Sequence, residues 1–246
     1  MNNLSIGQKV QNFRKRAGIS QLELETLIDA APGSISRIEN GKVNPNKETL
    51  LDICDALRLP IYERLYVIGA NYSQVTTEER ELVLEKLAST LADPEFLGYL
   101  LDDTYSVLAI GATYKTFLTQ LGVDSDKLLG KNMLEIVFNP ELGIRSAIPE
   151  ARFDQIAINL MSFFYKELGF RLNEPWWEEL LLRLKTFPRF QELWDSIEDK
   201  SINIYAPTSR KVFFKLGDNE IETSYSLGAV VYDPRFTLVE YKPLQK

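Results

Sequence analysis

The chain has 246 residues, 45% of them hydrophobic and 26% charged, with a net charge of −7, which suits a folded protein of two globular domains. It has no histidine and one cysteine, Cys54. That excludes Ser-His-Asp and Cys-His catalysis, histidine-ligated zinc and an intrachain disulfide.

The start MNNLSIGQKV lacks the basic stretch and apolar run of a signal peptide, and the chain has no run of about 18 apolar residues. No membrane span is therefore expected, and the single thiol fits a reducing cytoplasm. Residues 1–70 carry nine Lys/Arg against eight Asp/Glu, a balance of +1, while the remainder carries −8. A near-neutral head on an acidic body fits DNA contact through one local face, because phosphate affinity needs a patch rather than a basic total.

Ser5 and Gln8 have the spacing of a capping box, and Ile6, Val10, Phe13 and Ala17 follow on one helical face. Gly18 ends this first helix. Ser20 and Glu23 make a second capping box, so Gln21 is the first residue of helix two. Its amide sits at a helix N-terminus, where backbone N–H groups favour phosphate. Leu24, Leu27 and Ile28 supply the buried side. Asp29 marks a tight turn, and Pro32 reads as the first residue of a third helix ending at Asn40-Gly41. Ile35 and Ile38 face inward there, with Ser34, Ser36 and Arg37 outward or sideways. Asn46 caps a fourth helix with an apolar stripe of Leu50, Ile53, Cys54 and Leu57, which makes Cys54 a core thiol. Pro60 opens a fifth helix with Leu65 and Ile68. Helices two and three form a helix-turn-helix, a motif whose second helix can enter the DNA major groove.

After a polar joint (71–77), Thr76 and Glu79 form a capping box for a helix bearing Leu82, Leu87 and Leu91. Phe96–Leu101 and Tyr105–Ile110 read as a hairpin about Asp102-Asp103-Thr104. Helices are expected over 112–121, 133–138, 153–168 (capped by Gly169), 176–184 and 190–197. Strands follow over 202–205, 211–216, 221–232 and 236–241, divided by Gly217-Asp218-Asn219 and Asp233-Pro234. The domain organisation is thus 1–70, a linker 71–77 and 78–246. The body is rich in large rings, among them Phe163, Phe164, Trp176 and Trp177. Such rings either line a ligand pocket or simply pack a core. Arg145 and Arg152 flank the start of the long helix and would either meet a carboxylate head group or sit in solvent.

The five-helix order, Gln21, Leu24, the run Ile35-Ser36-Arg37-Ile38-Glu39-Asn40-Gly41 and Pro45 resemble the Xre/Cro/phage-repressor family over about residues 4–69. The resemblance implies an all-α lambda-repressor-like DNA-binding domain. It also implies that Gln21 and Asn40 clamp phosphates and that Pro32, Gly33, Ser34 and Arg37 form the base-reading face. Ser36, Lys42 and Asn44 complete the DNA-binding set, and Arg14 and Glu39 match positions that pair internally. Three departures stand out. Glu25 replaces a small residue where helix two nears helix three, so its stem should pack and its head reach water. Asp29 takes a turn position often held by Gly. Pro32-Gly33 offers no side chain to a base, which leaves Arg37 as the main candidate for guanine readout.

The body resembles the MmyB-like regulators over about residues 90–243, through Leu101-Asp102, Val107-Leu108-Ala109, Asn132-Met133-Leu134, Phe138-Asn139-Pro140, Pro188-Arg189-Phe190 and Leu238-Val239-Glu240-Tyr241. The resemblance implies an α+β PAS-like domain with an antiparallel sheet, binding a fatty-acid-like ligand. Gly111 replaces the family's usual Asn, and the family's histidines are missing.

Three functions compete. The first is a regulator that binds double-stranded DNA as a homodimer and senses a small apolar ligand. Operators are commonly two-fold, and one small head buries little DNA. The second is an enzyme with a targeting head; no phosphate loop, HExxH, GxSxG or CxxC is present, and the doublets Asp102-Asp103 and Glu178-Glu179 fit a turn and a helix face. The third is an antitoxin-like protein whose body binds protein. The first is preferred; neither an enzymatic role nor a cofactor is expected.

Overall fold

Side-chain caps set several helix starts among the described residues, and the computed structural model describes residues 4–59, 61–68, 74–168, 171, 174–198 and 210–243. Pro60, residues 71–73, Gly169 and the expected strand at 202–205 lie outside the described residues. The chain divides into two units, one of residues 1–73 with 170–175, the other of 74–169 with 176–246.

The first unit holds α1 (Ile6–Arg16), α2 (Gln21–Leu27), α3 (Ser34–Glu39), α4 (Lys47–Ala56) and α5 (Ile61–Ile68). Ser5 and Ser20 each close a reciprocal capping box, with Gln8 and Glu23 respectively, and Asn46 accepts from the Thr49 amide. Val10, Phe13, Leu24, Ile35, Ile53 and Cys54 form the centre of its core. Burial pushes the Cys54 thiol up to about 11, which makes it an inert packing group. Leu27 does not join this core: it is 61% exposed at the last position of α2, and Ile28 packs inward instead. Gly7 brings α1 against the end of α3; a Cβ there would lie 2.1 Å from the Ile38 carbonyl oxygen.

A buried polar cluster closes the unit at another point. The Tyr66 hydroxyl donates to Glu174 at 3.0 Å, Glu174 pairs with Arg171, and Lys9 Nζ donates to the Tyr66 carbonyl at 3.0 Å. Burial lowers the Lys9 pKa, with Glu174 pulling against it and Arg171 adding to it.

The second unit begins with α6 (Thr77–Ala92), capped by Thr76 and Glu79. β1 (Gly98–Leu101) and β2 (Val107–Ile110) follow, then α7 (Ala112–Gln120), α8 (Met133–Phe138), α9 (Ile144–Ala147), α10 (Glu150–Leu168), α11 (Pro175–Leu184) and α12 (Pro188–Glu198). The chain returns as β3 (Lys211–Leu216), β4 (Asn219–Val230) and β5 (Asp233–Pro243). Among the described residues these make one antiparallel five-stranded sheet in the order β2-β1-β5-β4-β3. Alternation along the strands gives the sheet two apolar faces. Leu100, Phe236 and Leu238 meet Val83 and Leu87 of α6, although Leu82 points to solvent. Tyr99, Leu101, Val239 and Tyr241 point the other way, toward α7, α8 and α10.

The last turn falls earlier than Asp233-Pro234. Val230 already pairs with Asp233, so Val231 and Tyr232 form the tip, with Val231 99% exposed. Pro234 then sits within a bulged part of β5, where its missing N–H costs no ladder bond. Asp233 fixes the corner by accepting from the Arg235 amide at 3.1 Å, and Arg235 also pairs with Glu79 of α6.

Candidate nucleic-acid interface and ligand cavity

The third helix starts later than Pro32. Pro32 and Gly33 form an exposed turn, and Gly33 is the N-cap with φ +78°, a left-handed conformation that glycine adopts without steric cost. Such a cap has no side chain to satisfy the first amides of α3. Glu25 does this instead: it is buried, and its Oε1 accepts from the Ile35 N–H at 3.0 Å. The glutamate head is therefore not in water, and the two departures at residues 25 and 33 are one device. Asp29 supplies the turn between the helices with φ +50°, a value tolerable for Asp.

Glu39, at the far end of α3, organises the neighbouring helices. Arg14 Nε and Nη2 reach its two oxygens at 2.6 and 3.0 Å, so the pair from α1 is bidentate and buried. Gln21 Nε2 donates to Oε2 at 2.7 Å and Gln11 Nε2 at 3.3 Å. Burial alone would raise the Glu39 pKa, but the hydrogen bonds from Arg14, Gln21 and Gln11 outweigh it and hold the carboxyl below its ordinary value.

The nine residues expected at DNA fall into three environments. Arg37, Lys42 and Asn44 are exposed, as are Pro32 and Gly33. Arg37 Nε donates to the Gly33 carbonyl at 3.2 Å, a bond that steadies the stem and uses one of five guanidinium donors. Gln21 is half-buried with its amide held by Glu39, and exposed Asn40 caps α3 with its amide on the Ser36 carbonyl at 2.7 Å. Ser34 and Ser36 are half-buried, and Ser34 Oγ is buried without a hydrogen-bond partner among the described residues. The exposed strip Arg37, Asn40, Lys42 and Asn44 thus spans the end of α3 and the loop after it. The two charges on that strip, one from Arg37 and one from Lys42, suit guanine and phosphate contact.

In the second unit, a cavity of about 100 Å³ lies between the sheet and α7, α8 and α10. Phe163 and Phe164 of α10 are in its wall, and both rings pack on Tyr105 at 5.2 and 5.4 Å. Trp176 and Trp177 are not in that wall. Trp177 packs on Trp194, which stacks on Phe190 in a separate aromatic core. Arg145 lies over the Phe153 ring at 3.9 Å and pairs with Glu150; Arg152 lies over Phe213 at 4.4 Å and pairs with Glu220 at 3.3 Å. Neither arginine lines the cavity. The ring-rich composition pointed to a cavity but could not assign rings to it, because aromatic cores and aromatic pockets have one composition.

The reading missed the tyrosines. Tyr99, Tyr114 and Tyr241 gather in the cavity wall with ring centroids 5.1–6.1 Å apart. Burial, chiefly, pushes all three hydroxyls above their ordinary pKa, so they stay protonated. These residues come from β1, α7 and β5, and no local spacing brings them together in sequence.

A family model for helix-turn-helix domains matches residues 10–63. The match supports a DNA-binding regulator and covers α1 from Val10 onward, α2 to α4 and the start of α5. No curated protein matches the chain. Among the described residues, no helix is long and apolar enough to cross a membrane.

Proposed function

We propose that this protein is a sequence-specific transcription regulator that binds double-stranded DNA as a homodimer, and that its second unit is a PAS-like, MmyB-like domain holding a small apolar ligand. The observation that carries the DNA reading is the exposed strip Arg37, Asn40, Lys42 and Asn44 on a matched helix-turn-helix. Arg37 reads a base edge, Lys42 contacts phosphate, and the amides of Gln21 and Asn40 hold the backbone from positions fixed by Glu39 and Ser36. A two-fold operator would let two heads of limited contact area reach useful affinity. The order strand, strand, helices, three strands, with most helices over one face, supports the PAS-like reading, and the apolar cavity supports the ligand.

The test begins with selection of genomic fragments on the purified full chain, followed by fluorescence anisotropy on the enriched fragment. A site with two inverted half-sites and salt-dependent binding supports the regulator. Equal binding to unrelated duplexes would sink sequence-specific readout. Native mass spectrometry of the same sample tests the second unit: a small-molecule adduct supports ligand holding, and an obligate protein partner in its place argues for an interaction module.

A further inference from the structure

We propose that the second unit carries the homodimer contact, a two-fold surface made of the outer stripe of α6 and the β4–β5 tip, with a second copy of this chain as its occupant. The inference rests on the homodimer reading above and names where that dimer closes. Three observations carry it.

The first is an apolar tip held in place. Val231 is 99% exposed and Tyr232 45% exposed, at turn positions usually filled by Gly, Asn or Asp. Their corner is not free to swing. Arg235 Nη2 donates to Asp233 Oδ2 at 2.7 Å and to Glu79 Oε1 at 2.6 Å, which ties the base of the turn to α6. Lys86 Nζ of α6 lies 4.6 Å from the centre of the Tyr232 ring. Apolar groups ordered before association lose little freedom on being covered.

The second is the shape of α6 beside that tip. Its buried side is Val83 and Leu87. On the other side Glu78, Leu82, Glu85, Ser89 and Ala92 recur at spacings of four and three, and all are exposed. That is the spacing of a seam between two helices. Leu82 is 49% exposed and lies one turn before Lys86, on the flank that meets the tip. Toward the end of α6 the short side chains of Ala88, Ser89 and Ala92 let a second helix come close.

The third is charge. Glu81, Glu85 and Lys86 are exposed, and among the described residues no ion pair engages any of them. A patch that meets its own copy about a two-fold axis must carry both partners of each contact. Acids on the stripe with a lysine at its edge do so, and two antiparallel α6 helices would set Lys86 of each copy against Glu81 and Glu85 of the other. A partner of uniform charge would leave one sign uncompensated.

Sedimentation velocity of the full chain without DNA should show a dimer that dissociates on dilution and weakens with salt. Val231→Asp and Lys86→Glu should each raise the dissociation constant about tenfold or more, because each change occurs twice in a two-fold contact. Both side chains are exposed, so the dichroism melt should not move. A mixing step follows. Lys86→Glu is acidic at all three positions and Glu81→Lys/Glu85→Lys is basic at all three, so each alone should be monomeric and the mixture should give a heterodimer in native mass spectrometry. Misfolding of a variant would not produce that rescue. A dimer untouched by Val231→Asp and Lys86→Glu, with no heterodimer on mixing, overturns this face while the homodimer reading survives. A wild-type chain that stays monomeric at about 100 μM overturns the face as well, and a single copy on the selected operator then overturns the homodimer too. A different protein that co-purifies with the wild type and is lost in Val231→Asp overturns self-association in its favour.

Discussion

Replacing the buried cap of α3 separates the two roles a glutamate can play at residue 25. Glu25→Gln keeps an acceptor oxygen at the same reach, whereas Glu25→Met keeps the length and removes the acceptor. In Glu25→Met the Ile35 amide, now bonded at 3.0 Å, would lose its partner inside the first unit. An unsatisfied buried amide costs about 1–3 kcal/mol, and loss of a helix N-cap costs about 1 kcal/mol in other proteins. Methionine returns part of this through apolar burial, so the net expectation is about 1–2 kcal/mol. For a unit of this size that is a melting shift of roughly 5–15 °C. Gln should stay within about 0.5 kcal/mol of wild type. No serine at residue 33 can rescue the Met variant, because the left-handed φ of +78° is not the extended geometry of a serine cap. The assay exploits the placement of all three tryptophans, at 176, 177 and 194, in the second unit. Tryptophan fluorescence follows that unit, and circular dichroism contains both. The Met variant should move the dichroism transition without moving the fluorescence one. Equal melting of the Gln and Met variants would refute the capping argument.

Four further outcomes follow from the same geometry. Arg37→Ala should weaken binding to the selected operator by roughly 1–3 kcal/mol and flatten discrimination at one base position, with an unchanged dichroism melt because the side chain is exposed; anisotropy against single-base operator variants reads both. Gly7→Ala drives a Cβ to 2.1 Å from the Ile38 carbonyl and should destabilise the first unit by about 1–3 kcal/mol, measured by urea titration; a neutral result would contradict the close α1–α3 approach. Glu39 has a folded pKa below its ordinary value, so its contribution is complete above the ordinary carboxylate range and is lost as pH falls through the folded value. The first unit should therefore melt lower at pH 3 than at pH 6, with a shallower slope in Glu39→Gln, which differential scanning across that window would record. Glu39→Gln should also cost about 3 kcal/mol at neutral pH by leaving buried Arg14 uncompensated.

The residues that announced themselves in the sequence act through local chemistry. Ser5, Ser20, Asn46 and Thr76 each bond an amide within three residues, so a short window contains the whole interaction. The β1–β2 hairpin was legible for the same reason, since Asp102 accepts from the Thr104 and Ser106 amides beside it. The start of α3 was misread because proline suits a first helical turn wherever the backbone allows it, and only Gly33 in its left-handed conformation delays the helix to Ser34. The last hairpin was misread because Asp-Pro is a common turn pair, yet a bulge absorbed the proline. Glu25 looked like an anomaly until its partner ten residues away was known. Gly7 and the three tyrosines depend on which helices and strands become neighbours, and nothing in their own surroundings encodes it.

The buried cluster of Lys9, Tyr66, Arg171 and Glu174 sets an order of events during synthesis. The Tyr66 hydroxyl finds its carboxylate 108 positions later in the chain. A ribosome that has released α1 to α5 has therefore made the helix-turn-helix but not the acidic group that accompanies Lys9 and Tyr66. Closing a loop of that length is slow compared with forming neighbouring helices, and domains otherwise tend to fold as they emerge. Nascent chains should show native-like helices early and full protease resistance of the first unit only after residue 175 clears the exit tunnel.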